Sequence, residues 1–236
     1  MRNPSELTVR LQGGAAAGAT TTALVYAAAA RALGATLMLG HGAGAGQRSA
    51  FMVSVSRALA SLGLDVVTFD FLYTEQQRRI PDRAPVLEGC YRSVIEAVRR
   101  DVDSARERMF IGGKSMGGRI ATQVAASDPA LALSGLVLLG YPLHPPGKPD
   151  QRRDKHLPSI NRPMLFVQGS RDPFGTPAEL SPILAALEPK ATLHVVEGGD
   201  HSLKIARADA ARQAAVLIDI ERTIVEWMAA VTGNRD

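Results

Sequence analysis

Met109-Phe110-Ile111-Gly112-Gly113-Lys114-Ser115-Met116-Gly117-Gly118-Arg119-Ile120-Ala121 is the stretch whose reading decides the fold. It opens with an apolar run of strand character, closes with helical character, and between them Gly113 to Gly117 has the form G-x-S-x-G. A serine on so tight a strand-to-helix turn takes a strained backbone conformation, and the glycines two residues to either side leave room for neighbouring backbones. The turn lifts the hydroxyl above the sheet and sets it at a helix N-terminus, where free N–H groups favour negative charge. The plainer reading is an ordinary Gly-rich turn with an incidental serine. Gly113-Lys114-Ser115 also looks like the end of a phosphate-binding loop. That motif needs a glycine at position 108, which is Arg108, and a longer loop between strand and lysine.

A serine hydroxyl becomes a nucleophile only when a base takes its proton and an acid holds that base in the right tautomer. Downstream of Ser115, Gly169-Ser170-Arg171-Asp172 follows the apolar run Met164 to Gln168, and Pro173 and Gly175 shape the turn that aims the carboxylate. Asp172 is the expected acid; a turn-forming or helix-capping aspartate is the bland alternative. Asp150 and Asp154 are weaker candidates because no strand delivers them. Gly198-Gly199-Asp200-His201 follows the last strand-like run, which makes His201 the expected base. His194 sits inside a strand, and His144 and His156 lie in a Pro-rich stretch.

Upstream, Gly40-His41-Gly42-Ala43-Gly44-Ala45-Gly46 follows the run Thr36 to Leu39. Its small residues let backbone N–H groups approach a developing oxyanion, with Ala43 and Met116 as the expected donors and Gly44 as the second choice to Ala43. His41 is expected to order the loop rather than react. His41, Gly42, Gly44, Lys114, Tyr141 and His144 are the candidates for the pocket wall. The loop also imitates a dinucleotide fingerprint, with Asp70 as its acidic residue. That residue lies about 28 positions beyond Gly42, against about 20 for the motif, and two strands would precede the first βαβ unit.

Around these motifs, apolar runs of strand length alternate with amphipathic segments, as in a doubly wound α/β sheet. Strands are expected at Leu7 to Leu11, Thr22 to Ala28, Thr36 to Gly40, Val66 to Asp70, Arg108 to Ile111, Gly135 to Leu139, Met164 to Gln168 and Thr192 to Val196. Helices are expected from about Phe51 to Leu62, Val86 to Val102, Gly117 to Ala126, Pro177 to Leu187 and Ala210 to Met228. Tyr141 to Pro163 is irregular and too short for a helical lid domain, so an open, shallow site is expected. One domain over 1–236 accommodates all of this, with residues 1–20 an irregular segment or an edge strand.

The 236 residues are 46% hydrophobic and 21% charged with a net charge of +4, which excludes wholesale disorder. No Lys/Arg run exceeds two residues, so no nucleic-acid partner is expected. The one cysteine, Cys90, lies in a helical pattern and reads as a buried thiol, consistent with a reducing, cytoplasmic location. No segment has the length and uniform apolarity of a membrane span. Ala15 to Ala30 superficially resembles a signal peptide, but Gly18 and Thr20-Thr21-Thr22 dilute it, and a loop with an early strand is expected there.

His41-Gly-Ala-Gly-Ala-Gly46, Phe69-Asp-Phe-Leu-Tyr73, Gly112-Gly-Lys-Ser-Met-Gly-Gly-Arg119, Gly140-Tyr-Pro-Leu-His-Pro-Pro-Gly147 and Asp200-His-Ser202 together resemble the α/β-hydrolase superfamily. More narrowly they resemble its dienelactone-hydrolase-like branch of testis-expressed and NSL-complex-subunit-3-like proteins. The resemblance implies an α/β-hydrolase fold: an eight-stranded, mostly parallel sheet flanked by helices, without a large lid domain. It further implies a Ser115–Asp172–His201 triad, no metal and no organic cofactor. Dienelactone hydrolases proper use cysteine where this chain has Ser115, so their substrate is not carried over.

The expected function is a carboxylesterase-like serine hydrolase acting on a small-molecule acyl substrate, an ester or thioester, through an acyl-serine intermediate. Homo-oligomers fit the same sequence. Lys114 and Arg119 flank the turn and would favour an anionic substrate if they faced the pocket; the plainer reading has both pointing away. The alternative from another class is an interaction module that keeps the fold without turnover. Against it stands the complete triad, since a scaffold has no need of a strained serine.

Overall fold

In the computed structural model the apolar runs become an eight-stranded sheet with helices on both faces. The structure describes residues 3–29 and 32–233. The expected domain over 1–236 and the Ala-rich stretch ending at Ala30 therefore include positions that lie outside the described residues.

In chain order the elements are β1 (Ser5–Arg10), β2 (Thr20–Tyr26), β3 (Thr36–Gly40), α1 (Ala50–Ser61), β4 (Asp65–Phe69), α2 (Leu72–Glu75), α3 (Ala84–Asp101) and α4 (Asp103–Glu107). They continue as β5 (Met109–Lys114), α5 (Met116–Ser127), β6 (Gly135–Leu139), β7 (Met164–Gly169), α6 (Pro177–Ala185), β8 (Thr192–Val196) and α7 (Ala210–Thr232). The strands lie in the order β1-β2-β4-β3-β5-β6-β7-β8. β1/β2 and β2/β4 are antiparallel, and every other neighbouring pair is parallel.

Side chains of a strand alternate between faces, so a two-sided core needs strands apolar at every position. β6 shows this: Leu136 and Leu138 join the core under α3 and α5, while Val137 and Leu139 join the core under α1 and α7. β7 divides likewise, Met164 and Phe166 to one face and Leu165 and Val167 to the other. Tyr91, Val94 and Val98 of α3 close the first face, and Val55, Leu59, Ile220 and Ile224 close the second. Each fully buried side chain of this size stabilises the fold by about 1.5–3 kcal/mol. Cys90 is buried in the first core, and desolvation pushes its thiol up to about 12, so it is a packing residue.

Three departures from the sequence reading have local causes. β5 runs through Gly112, Gly113 and Lys114, where glycines suggest a turn; they stay in the strand because they pair with Val137, Leu138 and Leu139. α2 and α4, of four and five residues, are too short to leave a helical period. α7 continues to Thr232, where Gly233 in the left-handed region (φ 75°) stops it; Asp209 caps its other end through Arg212 N–H. The irregular stretch 141–163 contains only a 3-10 turn at Leu157–Ser159, and no lid domain is built from it.

Candidate active site

The ends of β5, β7 and β8 deliver three side chains to one edge of the sheet. Ser115 follows β5 directly and has φ 50° and ψ −113°, a conformation that costs a non-glycine residue about 1–3 kcal/mol. The surroundings hold it there. Its N–H donates to Leu139 O of β6 at 2.9 Å, and its carbonyl accepts from Arg119 N–H in the first turn of α5. Gly117 makes the turn sterically feasible, because a Cβ there would lie 2.1 Å from Gly40 O of β3.

His201 Nε2 stands 2.8 Å from Ser115 Oγ, and His201 Nδ1 stands 2.8 Å from Asp172 Oδ2. Asp172 is fully buried, and its carboxylate accepts two further hydrogen bonds: Gln168 Nε2 donates to Oδ2 and Phe174 N–H donates to Oδ1, both at 2.8 Å. These partners fix the orientation of the carboxylate. With Asp172 ionised and acceptor-only, His201 carries its proton on Nδ1 and turns the lone pair of Nε2 toward Ser115.

Two residues that the sequence reading passed over complete this arrangement. Gln168, buried at the end of β7, also donates to Gly175 O and accepts from Tyr141 N–H, so one amide fixes the acid turn and the turn after β6. A glutamine among the apolar residues Met164 to Val167 was the signal, since a buried amide must find partners. Phe174 stacks on the His201 ring with centroids 4.1 Å apart; nothing in its local sequence marks that role.

Lys114 faces this site rather than pointing away. Its Nζ donates to His201 O, tying the strand that carries Ser115 to the loop that carries the imidazole. Gly140, in the left-handed region at φ 61°, leaves the space, since a Cβ there would lie 2.7 Å from Lys114 Nζ. Burial lowers the Lys114 pKa to about 8, opposed by the charges of Asp172 and Asp200. An amine so shifted binds fewer protons folded than unfolded between about pH 8 and its ordinary 10.5. Stability therefore rises with pH through that window, and the full cost stands below it. Wild type should gain up to about 3 kcal/mol over Lys114→Met across it. Urea unfolding of both proteins at the two ends of the window reads this, and a constant difference would refute it.

The loop after β3 comes over Ser115 from the other side. Phe71 N–H donates to His41 Nε2 at 3.2 Å, so the His41 proton sits on Nδ1 and is donated to Gly42 O at 2.8 Å. Burial lowers the pKa of His41 and holds it in this neutral form. Tyr73 Oη donates to Ala43 O, and the Asp70 carboxylate accepts from Gln47 N–H and Gln47 Nε2, which occupies the acid of the dinucleotide-like pattern. Ala43, held in this way, and Met116 both line the cavity. Met116 is the first residue of α5, so its N–H has no carbonyl one turn back to accept it.

These residues enclose a cavity of about 650 Å³. Its volume lies in the usual range of small-molecule pockets. Phe51 and Met52 of α1 and Pro81, Asp82 and Leu87 around the start of α3 add to its wall. Gly42, Gly44 and Lys114 line it as expected, and so do Arg119 and Arg153. Three expected wall residues do not. His41 is turned under its loop. Tyr141 is fully buried, with its hydroxyl donating to Arg153 O at 2.6 Å. His144 is drawn to Glu179 Oε1 at 3.1 Å and to Pro145 O. His156 lies behind α5 against Thr122 Oγ1, and His194 pairs with Asp219 at 3.1 Å.

Residues 33–229 match the family described as "Alpha/beta hydrolase domain". Solved structures of similar fold include an alpha-beta serine hydrolase homologue from Coxiella burnetii (16% identity, TM-score 0.72, covering 96% of this chain and 98% of that one). A dienelactone hydrolase from Anabaena variabilis is 19% identical, with TM-score 0.74 and coverage of 97% and 99%. An α/β serine hydrolase without lid from Xanthomonas campestris is also 19% identical, with TM-score 0.68 and coverage of 98% and 94%. At these identities the three show a shared fold. Among the described residues no helix is long and apolar enough to cross a membrane.

Proposed function

The chain belongs to the alpha/beta hydrolase domain family, and from that premise we propose that it is a serine hydrolase cleaving a small carboxylic ester or thioester through an acyl-serine intermediate. The observation that carries this reading is His201 bridging Ser115 Oγ and the buried Asp172 carboxylate at 2.8 Å on each side. Ser115 Oγ attacks the substrate carbonyl while its proton passes to His201 Nε2. Asp172 stabilises the imidazolium through Nδ1–H and stays ionised throughout. The carbonyl oxygen, now negative, is met by the N–H groups of Ala43 and Met116, each worth about 3 kcal/mol in the transition state. His201 then protonates the leaving alkoxide or thiolate as the carbon–heteroatom bond breaks. Water, deprotonated by the same nitrogen, attacks the acyl-serine; the acyl–Oγ bond breaks, the proton returns from His201 Nε2 to Ser115 Oγ, and the acid is released.

The narrower resemblance to the testis-expressed and NSL-complex-subunit-3-like branch, and a cytoplasmic site of action, belong to this proposal. An active-site fluorophosphonate tests it. The wild-type protein should be labelled and Ser115→Ala should not, whereas a folded but unlabelled wild type would favour the interaction module. In a p-nitrophenyl ester series, acetate and butyrate should be turned over faster than long-chain esters, because no lid domain covers an extended chain; faster turnover of palmitate would contradict that.

A further inference from the structure

We infer that the substrate carries an anionic group, held by Arg119 and Arg153 in the same cavity as Ser115. This rests on the hydrolase reading and deepens it.

Arg119 lies three residues beyond Met116 on α5, so the two are neighbours on one helix face, and both line the cavity. Its side chain is held by a neutral group: Nη1 donates to Gln123 Oε1 at 3.2 Å. The nearby carboxylate of Glu88 pairs with Arg92 instead.

Arg153 reaches the cavity from the irregular stretch after β6, and its backbone is pinned on both sides. Its N–H donates to Leu143 O at 2.8 Å, and its carbonyl accepts from the Tyr141 hydroxyl. This explains why the buried Tyr141 matters to a pocket it does not line. Among the described residues the Arg153 guanidinium has no carboxylate partner, because the adjacent Asp154 is taken by Arg152.

The wall as a whole is short of negative charge. Lys114, Arg119, Arg153 and the exposed Lys204 line it, against the single acid Asp82, which is paired with Arg78 at 2.8 Å. Arg119 is partly desolvated, and the charge of Arg153 adds to the depression of its pKa. Glu88 offsets this in part, but the two guanidiniums still repel, and an anion between them reverses that cost. The planar fork of arginine suits a carboxylate in particular. The oxyanion loop and Ser115 remain free for the acyl carbonyl, so the anionic group and the scissile bond occupy separate parts of one pocket.

The test compares two matched pairs of esters: mono-p-nitrophenyl glutarate against p-nitrophenyl pentanoate, and m-carboxyphenyl butanoate against phenyl butanoate. The first pair puts the charge on the acyl side and the second on the leaving group. In at least one pair the anionic member should have the higher kcat/KM, by roughly ten- to a hundredfold. That ratio should collapse toward one in Arg119→Gln and in Arg153→Gln and be kept only in part in Arg153→Lys, which retains the charge without the fork. Neutral esters turned over with no anionic preference in either pair, or a preference surviving both glutamine substitutions, would overturn the subsite alone. Absence of turnover with all four esters in a protein that fluorophosphonate also fails to label would remove the hydrolase reading beneath it.

Discussion

His201→Ala is expected to lower kcat on p-nitrophenyl butyrate by roughly a millionfold, about as much as Ser115→Ala, and combining the two should cost almost nothing more. The reason lies in the hydrogen-bond chain. Without the imidazole, Ser115 Oγ has no acceptor at 2.8 Å for its proton, and without the hydroxyl the imidazole has nothing to deprotonate. Groups that act as one unit lose their whole effect once. Asp172→Asn should cost less, about ten-thousandfold, and by another route. The new side-chain amide would present N–H to His201 Nδ1, moving the ring proton to Nε2, where it points at Ser115 and cannot accept. Thermal melts of each variant separate this from misfolding, a particular concern for Asp172→Ala, which would leave Gln168 Nε2 and Phe174 N–H buried with a partner removed. Independent, multiplying losses for Ser115 and His201 would mean the two do not work as a unit.

How much of this site was legible beforehand follows from how locally each residue is specified. Ser115 sits inside a pattern whose every position has a steric reason, and Asp172 and His201 each follow an apolar run in a glycine-rich turn, so chain order alone suggests where they arrive. The cavity wall is different. Arg153 reaches it because Tyr141 and Leu143 hold its backbone, and Lys114 faces inward because Gly140 has no Cβ in the way. Those are contacts between residues distant in the chain, and no spacing encodes them. The polar groups of His41, Tyr141 and His144 suggest a place in the site; each satisfies those groups within the protein instead.

The fold was legible where burial is symmetric. Runs such as Leu136 to Leu139 can be so apolar only if both faces are covered, and that implies a sheet between layers of helices. Sheet order is another matter: β3 lies between β4 and β5, and nothing in either strand states its neighbour. The glycines of β5 were the least readable feature, because glycine marks turns far more often than it marks a place where two backbones nearly touch.

Those glycines support the second large effect. Gly112→Ala should destabilise the protein by more than about 4 kcal/mol and recover it mainly as insoluble material. A Cβ at Gly112 would lie 1.8 Å from Val137 O and 2.7 Å from Val137 C, contacts with a neighbouring strand's backbone that no side-chain rotation relieves. Gly112 pairs with Val137 in the centre of the sheet, and the Tyr91 hydroxyl both donates to its carbonyl at 2.6 Å and accepts from its N–H at 3.0 Å. Separating β5 from β6 would therefore break ladder bonds, disturb a buried tyrosine and shift the strand that presents Ser115. Gly89→Ala is the matched control, since a Cβ there meets nothing within 4 Å and the residue lies inside α3. It should raise stability by roughly 0.5–1 kcal/mol by removing glycine's freedom in the unfolded chain. Urea unfolding and soluble yield of the pair decide the matter. Should Gly112→Ala fold with wild-type stability, the close approach of β5 to β6 is not a requirement of the fold, and the glycine there reflects something other than the distance between the two strands.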